Sequence, residues 1–282
     1  MEKLIYSIAD LSICMEMPFQ LKISEESLPF LKTGRENCDA EITVLPVDVL
    51  PPMVAGGIWY EDRYFVGESF HIRSDPRKDP YAVVEYGEGS QVRIAYLRDS
   101  CDMILESRCL LNILGLEKLL LCHDALILHA SFIRWQGKGI LFSAPSGTGK
   151  STQAALWEKY MKAEVLNGDR AGIRYTDGGW RAYGLPYAGT SRIFRNSSAP
   201  IHAIVVLRQS PENQIRPMRT AEALCTLLPE FSAHRWDSVF MNSVLDIAGE
   251  LISQIPIYCL ECRPDREAVQ LLHDTLFGED IL

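Results

Sequence analysis

The run Ala144-Pro-Ser-Gly-Thr-Gly-Lys-Ser-Thr152 constrains this chain more than any other stretch of it. Four residues separate Ala144 from Gly149, and Lys150 and Ser151 follow, which is the spacing of a Walker A phosphate-binding loop with alanine in the first position. Gly147 and Gly149 allow backbone N–H groups to turn inward around phosphate oxygens with no Cβ in the way. Lys150 is placed to neutralise β- and γ-phosphates, and the Ser151 hydroxyl to ligate Mg²⁺. A helix starting at Ser151 directs its positive end at the anion. Such a loop needs a strand before it and a helix after it. Apolar Gly139-Ile-Leu-Phe-Ser143 and the amphipathic stretch Thr152–Lys162 meet that need. The expected nucleotide-binding residues are Ser146, Gly147, Thr148, Gly149, Lys150, Ser151 and Thr152, with ATP and Mg²⁺ as cofactors.

Away from the loop the chain changes period once. Residues 1–100 hold short apolar segments broken by Pro51-Pro52, Gly56-Gly57 and the Ser74–Asp79 stretch, several of them alternating, as in Gln91-Val-Arg-Ile-Ala-Tyr96. This predicts a smaller, mainly antiparallel β domain. Residues 101–282 predict an α/β domain, with the boundary at Asp99–Met103. Its elements open with one long helix over Met103–Cys122 and strands over Ala125–Trp135 and Gly139–Ser143. After the loop helix come a strand over Ala163–Leu166, a hairpin of Ala171–Tyr175 with Gly179–Tyr183, and a strand over His202–Leu207. Helices over Ala221–Leu228 and Ser238–Gln254 follow, the second capped by Asp237. A strand over Ile257–Cys262 and a helix over Arg266–Phe277 close the chain.

The net charge of −9 argues against a nucleic-acid backbone or an anionic membrane as the main partner. The most apolar stretch, Met103–Cys122, is interrupted by Glu106, Arg108, Glu117 and Lys118, which excludes a simple membrane span. No apolar run follows Met1-Glu2-Lys3-Leu4, so a cytoplasmic protein with eight free thiols is expected. Cys259 and Cys262 have the spacing of a metal or redox pair. They lie on one predicted strand, however, where positions three apart face opposite ways. The sequence leaves the oligomeric state open, a homo-oligomer included.

Three further places could carry chemistry. Asp169 ends the strand after the loop helix, where a carboxylate reaches Mg²⁺ or an attacking hydroxyl, though aspartates after Asn-Gly are also common in turns. His129, in Leu126-Ile-Leu-His-Ala-Ser131, reads by itself as a satisfied core histidine. Arg192 and Arg195, in the Gly189–Asn196 segment, suit transition-state charge or an acidic substrate, and suit equally a solvated loop.

Taken in order, Leu128-His-Ala-Ser131, the Gly137–Thr152 segment and Leu166-Asn-Gly-Asp169 resemble the catalytic domain of HPr kinase/phosphorylase and its relatives. That superfamily also contains the ATP-dependent phosphoenolpyruvate carboxykinases. The resemblance covers residues 125–275 and implies a P-loop kinase domain of the HPr kinase C-terminal type. It further implies transfer of the γ-phosphoryl group to a hydroxyl on a peptide, protein or small molecule. His129, Asp169, Lys150, Arg192 and Arg195 are then the implied catalytic residues, with Ser151 and Asp169 on the metal. The chain departs from the pattern where HPr kinases carry two adjacent aspartates, because Gly168-Asp169 stands there, and an acid such as Asp177 is one substitute. Thr152 replaces the glutamate that often follows the loop serine. These departures argue against HPr itself as acceptor. They fit divergent relatives, some of which phosphorylate serine in ribosomally made peptide precursors. The alternatives are a carboxykinase-like phosphotransferase on a small metabolite and a catalytically inactive nucleotide-binding regulatory protein.

Overall fold

The computed structural model describes residues 1–34, 37–187, 189 and 191–278. The chain divides into two compact units, Met1–Cys122 and His123–Leu282.

The first unit is built on nine strands: β1 (Glu2–Ile8), β2 (Leu11–Met17), β3 (Leu31–Lys32), β4 (Ala40–Val47), β5 (Ile58–Tyr60), β6 (Arg63–Val66), β7 (Ser69–Ile72), β8 (Ala82–Tyr86) and β9 (Gln91–Leu97). They form one sheet in the order β3-β1-β2-β4-β9-β8-β7-β6-β5. The β2–β4 and β4–β9 pairings are parallel and the remaining neighbours antiparallel, so the sheet is mixed. Alternation is clear in the first half of β9, where Val92 and Ile94 are buried while Gln91 and Arg93 are exposed, and it ends at Ala95 and Tyr96, which are both buried.

Two expectations are corrected in this unit. The single helix over Met103–Cys122 is two short helices, α1 (Ser107–Leu114) and α2 (Leu116–Leu121). Gly115 breaks them at φ 69°, a left-handed conformation natural to glycine, and the Phe70 ring stands 3.2 Å from where its Cβ would be. The Tyr86 hydroxyl donates to the carbonyls of Leu114 (2.6 Å) and Gly115 (2.9 Å). These contacts fasten the helix pair to β7 and β8, which is why the units divide after Cys122 instead of near Asp99–Met103.

The second correction concerns the thiols. Cys14 and Cys38 are joined as a disulfide with Cα atoms 5.7 Å apart. Cys14 lies on β2 opposite Glu41 of β4, and Cys38 just precedes β4, so the parallel β2–β4 pairing brings the two together. A bonded pair removes the argument from free thiols for a reducing compartment. Among the described residues no helix is long and apolar enough to cross a membrane.

The second unit holds β10 (Ala125–Trp135), β11 (Lys138–Ser143), α3 (Lys150–Met161), β12 (Glu164–Asn167), β13 (Arg170–Thr176), β14 (Gly179–Gly184) and β15 (Ser198–Gln209). It continues with β16 (Gln214–Pro217), α4 (Thr220–Leu227), α5 (Ser238–Gln254), β17 (Ile257–Cys262) and α6 (Arg266–Phe277). β16 is the one strand here that the sequence pattern does not announce, being a short polar edge segment antiparallel to β17. Asp237 caps α5 as expected, its side chain accepting from the Val239 and Phe240 N–H groups.

The sheet runs β11-β10-β13-β14-β15-β17-β16, with β12 also on β10 and β11 also on β15. β10 is the pivot. Its first half, through His129, pairs with β13, and from Ala130 onward it pairs with β11. β11, β15 and β17 are parallel neighbours, so their C-terminal ends lie at the same edge. α3 and α6 pack onto these strands through Ala154, Trp157, Ala268, Val269 and Leu272 against Ile140, Phe142, Val205 and Leu260. Burying a large side chain such as Trp157, fully enclosed here, is worth about 2–3 kcal/mol. That packing holds the start of α3 rigidly at the end of β11.

Candidate active site

Residues 144–149 join β11 to α3, which is the strand–loop–helix setting the loop requires. Gly147 and Gly149 adopt φ of 80° and 120°, and no described atom lies within 4 Å of where a Cβ on either would sit. The concavity is therefore open, and a side chain would enter it. Among the described residues no side chain caps α3, leaving its first N–H groups to a ligand. Lys150 is buried, and its Nζ donates to the carbonyls of Ala144 (2.6 Å) and Pro145 (3.3 Å). Burial pushes its pKa down, and the Glu230 and Asp169 carboxylates act against that shift. An open glycine cradle, an uncapped helix start and a held ammonium fit a polyphosphate.

The acid beside the loop is positioned by an asparagine. Asn167 is fully buried, and its Oδ1 accepts from the Asp169 (2.9 Å) and Arg170 (3.0 Å) N–H groups. Its Nδ2 donates to the carbonyls of Leu185 (2.9 Å) and Tyr187 (3.2 Å). The Ser151 and Ser131 hydroxyls both donate to the Gly168 carbonyl, at 3.1 Å and 2.9 Å. Ser151 and Asp169 thus flank one residue, and together they could hold Mg²⁺.

His129 stands where β10 changes partner, with Arg170 as its register partner and the Ala130 N–H donating to the Asp169 carbonyl at 3.0 Å. Its Nε2 lies 3.6 Å from Asp169 Oδ1. Its Nδ1 lies 2.9 Å from Glu230 Oε2. Sequence reading missed both Asn167 and Glu230. Asn167 could have been noticed as the residue starting the turn that carries Asp169. Nothing in Leu-Pro-Glu-Phe marks Glu230, which reaches His129 across 101 residues.

The other candidates fall elsewhere. Asp177 lies in the β13–β14 turn, at the end of β13 away from Asp169, so Glu230 and not Asp177 is the extra carboxylate near the loop. Arg195 donates to Glu164 Oε1 at 3.0 Å, at the opposite end of β12 from Gly168, and Arg134 grips the same carboxylate. Arg192 is exposed, at φ 51°, on the strap whose Gly189 packs against the Asp169 carboxyl. Ala188 and Thr190 of that strap lie outside the described residues.

Gly168 stands where the resembled kinases carry a second aspartate, and its surroundings leave little room for one. A Cβ there would run into the Ser191 side chain, with its Cβ at 2.7 Å. Gly168→Asp is therefore expected to destabilise the protein by about 1–3 kcal/mol, the usual cost of overpacking. Adding Ser191→Gly should recover part of that loss in urea-melting midpoints. A fully stable Gly168→Asp single variant would show that Ser191 moves aside freely.

On the lower edge of the loop, the C-terminal ends of β15 and β17 line a cleft of about 520 Å³ with Thr148, Thr152, Gln153, Gln209 and Arg263. That volume is ordinary for a small-molecule site, and strand C-termini are where open α/β sheets bind ligands.

The fold is thus that of an α/β protein with two mixed sheets, carrying a phosphate-loop sequence at a strand–helix junction. The family described as "SynChlorMet cassette protein ScmC" matches residues 103–264, more than half of the chain, and the chain belongs to that family. No curated protein matches it. Among solved structures, the Hpr(Ser) kinase/phosphatase from Coxiella burnetii is similar over 55% of this chain and 89% of its own, at 14% identity and a TM-score of 0.32. That likeness is weak and at the level of fold, so the functional reading rests on the site.

Proposed function

We propose that this protein is an ATP- and Mg²⁺-dependent kinase that transfers the γ-phosphoryl group to a hydroxyl, a serine of a peptide or protein being the favoured acceptor. The observation that carries it is the convergence of Lys150, Ser151, His129 and Asp169 around one open glycine cradle. In this reading Lys150 and the N–H groups of residues 146–151 hold the β- and γ-phosphates. The nucleoside occupies the cleft beside Thr148, Gln153 and Arg263. Ser151 and Asp169 hold Mg²⁺, which supplies charge neutralisation on the transferring group. Asp169 orients the acceptor hydroxyl and takes its proton, with His129 Nε2 beside it. Arg192, exposed on the strap over Asp169, is the arginine better placed to meet an acidic acceptor.

The family's description names a cassette, so the acceptor is sought among the other products of that cassette. The test is incubation of the protein with γ-labelled Mg·ATP and each such product, followed by mass spectrometry. A phosphoserine on one product is the expected result. ATP bound without turnover in every mixture would favour the regulatory alternative, which the single carboxylate at Gly168-Asp169 makes the main competitor.

A further inference from the structure

Glu230 has no part in the reaction proposed above, yet it makes the shorter of the two carboxylate contacts to the His129 ring. Its side chain is only 12% exposed, against 29% for His129. It sits in the 3₁₀ turn Leu228–Glu230 that follows α4. That turn is clamped to β10 immediately beyond it. Phe231 bridges Leu128 in antiparallel fashion, and the Ser232 N–H donates to the Ile127 carbonyl at 2.9 Å. Arg170 adds a side-chain bond to Ser232 Oγ at 3.1 Å, and Arg235 donates to the Pro229 carbonyl at 2.7 Å. The glutamate is therefore carried by backbone fixed beside the very strand that holds the histidine.

We propose that Glu230 is a positioning residue for His129, holding the ring through Nδ1 so that Nε2 faces Asp169 and the acceptor side of the loop. This deepens the kinase reading and rests on it. A neutral imidazole distributes its proton between two nitrogens and turns about its Cβ–Cγ bond. A carboxylate accepts only, so in the 2.9 Å contact Nδ1–H is the donor, and Nε2 is the nitrogen turned toward Asp169. Nε2 is not consumed by Asp169, because 3.6 Å is beyond hydrogen-bond length. The same carboxylate also acts on the Lys150 ammonium through space, an influence smaller than that of burial, and the KM for Mg·ATP reads it separately from the contact with His129. Glu230 works by selecting one tautomer and one ring orientation, as carboxylates behind metal-bound histidines do.

The experiment measures the ¹⁵N shifts of the His129 ring, ADP formation from Mg·ATP, and Mg·ATP affinity in the wild type, Glu230→Ala, Glu230→Gln and His129→Gln. Glu230→Ala should abolish the Nδ1-protonated signature and lower kcat by about 10–100-fold, the scale seen when such supporting carboxylates are removed. KM for Mg·ATP should stay within about threefold, because the loop contacts are untouched. Glu230→Gln, whose amide oxygen still accepts from Nδ1–H, should keep both the tautomer and most of the turnover. In a His129→Gln background Glu230→Ala should cost nothing further, since its effect passes through the histidine. Additive losses, or an unchanged Nδ1-protonated ring in Glu230→Ala, would overturn the proposal. If Glu230→Ala does not fold, the Glu230→Gln spectrum decides, and loss of the Nδ1-protonated form there counts against it. A protein that shows the tautomer dependence but no ATP turnover would instead refute the kinase reading, and the ring spectra keep the two failures apart.

Discussion

Asp169→Asn is expected to keep Mg·ATP bound while lowering phosphoryl transfer by about 10²–10⁴-fold, the usual contribution of one acid–base group. Asparagine preserves the size of the side chain, so the packing of Gly189 against it survives. The backbone of residue 169 is held independently, by Asn167 at its N–H and by Ala130 at its carbonyl. What disappears is the negative charge, which in the proposed reaction holds the metal and takes the acceptor proton. Binding depends mainly on the loop, and titration calorimetry should find affinity nearly unchanged. Rates measured with the true acceptor provide the decisive number. A variant as fast as wild type would return Asp169 to the role of a turn residue shaped by Asn167.

The second large effect is expected at Lys150. Lys150→Ala should weaken Mg·ATP binding by roughly 10²–10⁴-fold, because two charge-assisted contacts to phosphate are each worth about 1.5–3 kcal/mol. The fold should persist. The amine is buried at a desolvation cost, and of its two partner carbonyls that of Pro145 belongs to an exposed residue, while that of buried Ala144 loses its donor at a cost of about 1–3 kcal/mol. A thermal melt by circular dichroism, together with calorimetric binding of Mg·ATP, separates the two effects. A folded variant with wild-type affinity would remove the foundation of the whole functional reading.

The parts of this protein that could be read from the chain alone are those whose causes are local. The phosphate-loop sequence is nine contiguous residues whose glycines, lysine and helix start act on one another at close range. Its setting between β11 and α3 follows from the apolar run before it and the helix-forming run after it. Asp237 capping α5 and the β13–β14 hairpin are local for the same reason. Asp169 is marked by its place at the end of the strand after the loop helix, and His129 by resemblance to a family pattern. What puts them side by side is the register of β10 against β13, which pairs His129 with Arg170, next to Asp169 in the chain.

Only the tertiary structure decided the rest, and in each case the reason is a neighbour distant in sequence. Gly115 breaks an otherwise continuous helical pattern at φ 69°, where the Phe70 ring 3.2 Å from the position of a Cβ adds a tight tertiary contact. Cys14 meets Cys38 because β2 and β4 pair in parallel. Gly168 cannot be the second aspartate because Ser191 fills the space beside it. Arg195 is taken up by Glu164, and Asp177 is carried to the far end of its hairpin. Glu230 arrives at His129 because the turn after α4 is clamped to β10 by backbone bonds at Leu128 and Ile127. A residue's own neighbours in the chain determine its torsions, its face and its cap. Which carboxylate stands behind a histidine is settled by how the sheet closes, and no local pattern encodes that.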